Sequence, residues 1–87
     1  MIYLEITSTT QSKNDRTRVC SVLLVAGSAA ATLILYNGTS ASDPVFSALK
    51  AAANESSSIT IGNEGVDVSS IYAAITGTGA KAYIYYI

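Results

Sequence analysis

The sequence predicts a small all-β domain: an antiparallel β-sandwich, jelly-roll-like or an open barrel, of seven to eight short strands. Three observations predict it. Apolar residues recur with a period of two in one segment after another, the spacing of strands whose side chains alternate between faces. Turn-forming groups, among them Gly27-Ser28, Asn37-Gly38 and Gly77-Thr78-Gly79, fall between those segments. At 87 residues the chain is one domain, able to bury only about 60 to 65% of its unfolded surface. Folding alone leaves little margin, and association of copies would help.

Residues 1–7 form an N-terminal strand or arm, with Ile2, Leu4 and Ile6 on one face and Tyr3, Glu5 and Thr7 on the other. Residues 8–15, STTQSKND, are wholly polar and without periodicity, which reads as a linker ahead of a sandwich core at 16–87. The stretch 17–37 holds two apolar runs joined by Ala26-Gly27-Ser28-Ala29, and Gly-Ser suits a tight type II′ turn, so the runs are expected to pair as a central hairpin. The first run places Val19, Ser21, Leu23 and Val25 on one face and Cys20, Val22, Leu24 and Ala26 on the other. Both faces are apolar, as in a strand covered on both sides.

Residues 44–54 admit two readings. Asp43 as a cap, Pro44 at a first helical position and Val45, Leu49 and Ala52 at helical spacing predict a short helix. Val45, Ser47, Leu49 and Ala51 also alternate as a strand. A short strand follows at 57–61 with Ile59 and Ile61 facing in, then a turn at Gly62-Asn63-Glu64-Gly65 and a brief extended piece at Val66-Asp67-Val68. The segments 71–76 and 80–87 are expected to pair as a last hairpin across Gly77-Thr78-Gly79. Ala82, Ile84 and Tyr86 oppose Tyr83, Tyr85 and Ile87, again apolar on both faces.

The composition argues against most chemistry. Histidine is absent, which removes the commonest general acid–base and metal-ligating side chain and every Ser-His or Cys-His nucleophile. Tryptophan is absent too, which weakens a sugar-stacking platform. The net charge of −1 offers no electrostatic footprint for nucleic acid, and Lys13, Arg16 and Arg18 read as a solvated stretch feeding a strand. Cys20, the one cysteine, sits in an apolar run and behaves as a small buried hydrophobe. Asn63, Glu64 and Asp67 could gather oxygens around calcium, but turn residues in water are the default. Gly77-Thr78-Gly79 lacks the lysine and helix of a phosphate loop. Asn37 and Asn54 stand in glycosylation triplets that read as turn chemistry. No basic segment followed by a long apolar one opens the chain, so no secretory signal is expected, and no apolar run is long enough for a membrane helix. No cofactor is implied.

With charged residues at only 13%, the surface must rely on Ser, Thr, Asn and Gly or be covered by partners. The doubly apolar strands and the clustered tyrosines nominate Leu23, Leu24, Tyr83, Tyr85 and Ile87 as a candidate subunit or partner interface.

The run VLLVAGSAAATLILYNGTSAS, then VFSALKAAAN, then SITIGNEGVDVSSIYAAITGTGAKAYIYY resembles small β-sandwich virion proteins of tailed bacteriophages and prophages. The likeness lies in the order and spacing of the pieces over residues 19–86. Ser69-Ser70 stands where the pattern has a glycine, and Asp43-Pro44 replaces a more permissive link. The resemblance implies a strand at 44–54 and a non-enzymatic structural role. It also implies a capsid decoration (cement) protein, made in the host cytoplasm, that binds the major capsid protein or another virion protein as an oligomer, with a trimer favoured. A tail or fibre attachment protein, or a small surface- or carbohydrate-binding module, is the alternative.

Overall fold

The computed structural model describes residues 2–62 and 65–87. Nine strands form two antiparallel sheets: β1 (Ile2–Ile6), β2 (Thr10–Lys13), β3 (Thr17–Val25), β4 (Ala31–Asn37), β5 (Val45–Ala51), β6 (Ser56–Thr60), β7 (Val66–Val68), β8 (Ile71–Thr76) and β9 (Lys81–Tyr86). Sheet A runs β1-β9-β3-β6, with β7 beside β6 on the foot of β3, and sheet B runs β2-β8-β4-β5. The domain is all-β, and the strand 44–54 reading holds: β5 pairs with β4 from Ala31 opposite Ala51 to Tyr36 opposite Val45.

The pairings have a simple origin. β1 pairs with β9, β2 with β8, β3 with β6 and β4 with β5, as though the chain were one long hairpin with its tip at 38–44. Rolling that ribbon brings β3 against β9 and β4 against β8. The result is the jelly roll, the double-sheet solution to closing a long antiparallel ribbon. β7 is an addition to it.

This path corrects both expected hairpins. β3 and β4 lie in opposite sheets, as do β8 and β9, so 26–30 and 77–80 are arches between sheets. In an arch the two strands face each other across the core, and Val22 and Leu24 meet the sheet that carries Leu33 and Leu35. Gly27 does not take the positive φ of a type II′ turn. A Cβ there would collide with the Thr78 carbonyl oxygen, so the glycine serves the close approach of one arch to the other. Gly77 takes φ 113°, and a Cβ on it would lie 2.8 Å from the Ala30 carbonyl oxygen.

The polar stretch 8–15 is also more than a linker, since it contains β2. Hydrogen bonds from polar side chains fix it in place of an apolar face. The Gln11 amide donates to the carbonyls of Lys13, Gly38 and Ile71 at 2.9, 3.3 and 3.1 Å. Thr9 Oγ1 accepts from Ile75 N at 3.1 Å and lies 3.3 Å from that residue's oxygen.

One core fills the space between the sheets. Val19, Val22, Leu24 and Ile84 from sheet A and Leu33, Leu35, Ile71 and Ala73 from sheet B are fully buried. Burying the Val, Leu and Ile side chains among them stabilises by about 1.5 to 3 kcal/mol each. Ile59 and Ile61, expected inside, are 42% and 37% exposed. Ile59 pairs with buried Val22 and shares its face, but β6 stands at the margin of the sandwich. The expected turn at 62–65 includes Asn63 and Glu64, which lie outside the described residues.

Candidate interaction surface

The outer face of sheet A is set by a bulge. Between Val19 and Ser21 β3 advances two residues while β9 advances one, so Cys20 is the extra residue and the strand's alternation changes phase there. From that point Val22 and Leu24 face the core and Ser21, Leu23 and Val25 face out. Of the nominated pair, then, Leu24 belongs to the core at 0% exposure, and Leu23 alone joins the surface.

Pairing lays that surface out in rows. Tyr3, Tyr85, Ser21 and Thr60 form one row across the sheet, and Glu5, Tyr83, Leu23 and Ser58 the next. The first row passes from aromatic at β1 and β9 to hydroxyl at β6, and the second from carboxylate at β1 through aromatic at β9 to hydroxyl at β6. The Tyr3 ring lies 6.1 Å from Tyr83 and 5.9 Å from Tyr85, centroid to centroid and tilted, within the range where aromatic pairs attract. The Tyr83 hydroxyl donates to Glu5 Oε2 at 3.1 Å. That bond holds the phenol above its ordinary value of 10, and loss of surrounding water adds to the effect. Ile87 lies past the end of β9, exposed, with its N–H donating to the Arg18 carbonyl. It sits at the rim of the surface.

Tyr3, Glu5 and the hydroxyl row of β6 belong to this face but were not nominated from sequence. The alternation of β1 already put Tyr3 and Glu5 on one side; that this side continues the Tyr83–Tyr85 face depends on β1 pairing with β9, a contact across nearly the whole chain.

Sheet B also presents apolar groups outward. Tyr36 and Tyr72 are cross-strand partners with ring centroids 6.0 Å apart. Beside them a shallow groove of about 360 Å³ runs over Ile34 and Ala48 between Thr32 and Lys50.

One cluster of charged groups lies at the foot of β3. Arg16 Nη2 stands 2.8 Å from Asp67 Oδ2, and Arg18 Nε 4.0 Å from Oδ1. The arginine's hydrogen bond holds the Asp67 carboxyl below its ordinary value. Asp67, the described member of the considered calcium set, is thus engaged by arginine, while Asn63 and Glu64 lie outside the described residues.

No family model, curated protein or solved structure matches the chain.

Proposed function

We propose that the chain is a non-enzymatic structural protein of a tailed-bacteriophage virion. In this reading it is a capsid decoration protein that assembles as an oligomer and binds the major capsid protein. The observation that supports the reading most is the outer face of sheet A, where Tyr3, Tyr83, Tyr85 and Leu23 lie together on a rigid sheet with little charge. Tyrosine on a firm backbone offers large contact area at small entropic loss, which suits a protein that must hold to a surface by packing. The jelly roll is frequent among capsid proteins, a fold-level analogy that agrees with this reading without deciding it.

The test is binding of the purified protein to heads of the encoding virus that lack it. Tyr85→Ala should weaken attachment by about thirty-fold, the equivalent of about 2 kcal/mol for an aromatic anchor. Unchanged attachment would remove the face from the interface. Tail or fibre attachment remains the alternative place in the particle, and binding to tails in place of heads would select it.

A second reading draws on one specific feature. The Tyr83–Glu5 pair sets a carboxylate beside the exposed Tyr3 ring and the half-buried Tyr83 ring, an arrangement that can hydrogen-bond and stack on a sugar. Saturable binding of a soluble oligosaccharide to the chain, abolished by Glu5→Ala, would favour a carbohydrate-binding module.

A further inference from the structure

Sheet edges carry unpaired backbone groups, and proteins blunt them with bulges, prolines, lysines or short polar strands. Of the five edge strands here, three carry such features and a fourth, β7, is only three residues long with Asp67 at its centre. β2 has a register shift between Gln11 and Lys13 and includes the lysine. β5 follows Pro44, carries Lys50 and is bulged opposite Leu35 and Tyr36. β6 is SSSIT, mostly hydroxyl groups. β1, Ile-Tyr-Leu-Glu-Ile, has none of them. Its five residues pair in unbroken register with β9 on one side, and among the described residues they make no backbone hydrogen bond outside that ladder. It also bears the two most exposed large apolar side chains of the described residues, Ile2 at 60% and Tyr3 at 58%.

We infer that β1 is a self-association edge, pairing antiparallel with β1 of a second copy about a two-fold axis perpendicular to the sheet. The choice of a second copy, in place of an unrelated strand, comes from the sequence of β1 itself. A two-fold of this kind keeps outer face with outer face, so residues of like parity stand opposite each other. Centred on Leu4, it pairs all five residues: Ile2 opposite the partner's Ile6, and Tyr3 opposite the partner's Glu5. The hydroxyl of one copy then meets the carboxylate of the other, twice. Centring on Glu5 sets two carboxylates face to face, which destabilises a cross-strand pair, and centring on Tyr3 pairs only Ile2, Tyr3 and Leu4 of β1 with one another. The Leu4 register is the longest that also matches charge.

The paired copies form one continuous sheet, β3-β9-β1 joined to its image, and Tyr3 lies between its own Tyr83 and Tyr85 and those of the partner. Two separate aromatic patches become one. A two-fold contact of this kind builds dimers or even-numbered assemblies; a lone trimer, the symmetry implied by the resemblance, contains no such axis. The inference goes beyond the proposed virion role and stands or falls without it.

Light scattering on the full chain over a hundred-fold concentration range tests it. The expected species has twice the mass of the 9.0 kDa chain. Tyr3→Glu, at an exposed position, places like charges opposite each other twice per dimer and should raise the dissociation constant about ten-fold. Adding Glu5→Lys to that variant should restore the dimer, since the introduced charges then attract in the same register. Far-UV circular dichroism confirms that each variant remains folded. A monomer throughout, a trimer, a dimer unmoved by Tyr3→Glu, or a folded double variant that fails to recover would each overturn the inference.

Discussion

Glu5 and Tyr83 show how one hydrogen bond marks a surface. Because the bond stabilises the neutral phenol, the folded-state value is raised above the unfolded one. Its contribution is therefore complete below about pH 10 and is lost as pH rises through the folded value. In an absorbance titration Glu5→Gln should move the ionisation of Tyr83 to lower pH; a titration curve unchanged by the substitution would deny the bond. Leu23 and Leu24 give the complementary case. Leu24→Asp places a charge among fully buried side chains and should abolish folding, whereas Leu23→Asp sits on the outer face and should leave the urea midpoint nearly unchanged while impairing attachment. Similar losses for both would mean that the phase of β3 differs from that set by the Cys20 bulge. The sequence announced two apolar faces but not which belonged to the core, because one inserted residue reverses the assignment and leaves no mark in the alternation itself.

At the level of elements, strand positions were largely legible and their partners were not. β1, β3, β4, β8 and β9 lie close to where period-two alternation put them. The arches at 26–30 and 77–80 read as hairpins because a short glycine-containing link between two apolar strands looks the same whether the chain turns within a sheet or crosses to the other one. What decides between them is long-range: β3 finds β9 and β6, and β4 finds β8 and β5. β2 was hidden for a different reason, since Gln11 and Thr9 hold it through hydrogen bonds and no apolar rhythm exists to be read. A Gly-Ser pair inserted after Ser8, in the connection between β1 and β2, should change stability by less than about 1 kcal/mol, as expected for slightly lengthening a loop. The same insertion after Gln11 should lower it by about 2 kcal/mol or more by displacing Lys13 from Ile71. Equal tolerance in a denaturant titration would show that 8–15 acts as a linker after all.

On the scale of the whole molecule, rolling one ribbon explains why both sheets present tyrosines outward. A small sandwich has a single interior, and alternation sends every second residue of each strand away from it. With few charged groups available, the outward positions are filled by Tyr, Ser, Thr and Ala, giving a surface suited to contact with protein. The virion reading accounts for that surface and for the absence of histidine-based chemistry. Its central claim is tested most directly by quantitative mass spectrometry of gradient-purified particles of the encoding virus. The account predicts the chain in fixed proportion to the major capsid protein in the head fraction, and heads made without it that gain the missing mass when purified protein is added. Recovery of the chain only in the soluble fraction of infected cells, with heads unchanged by its addition, would contradict it.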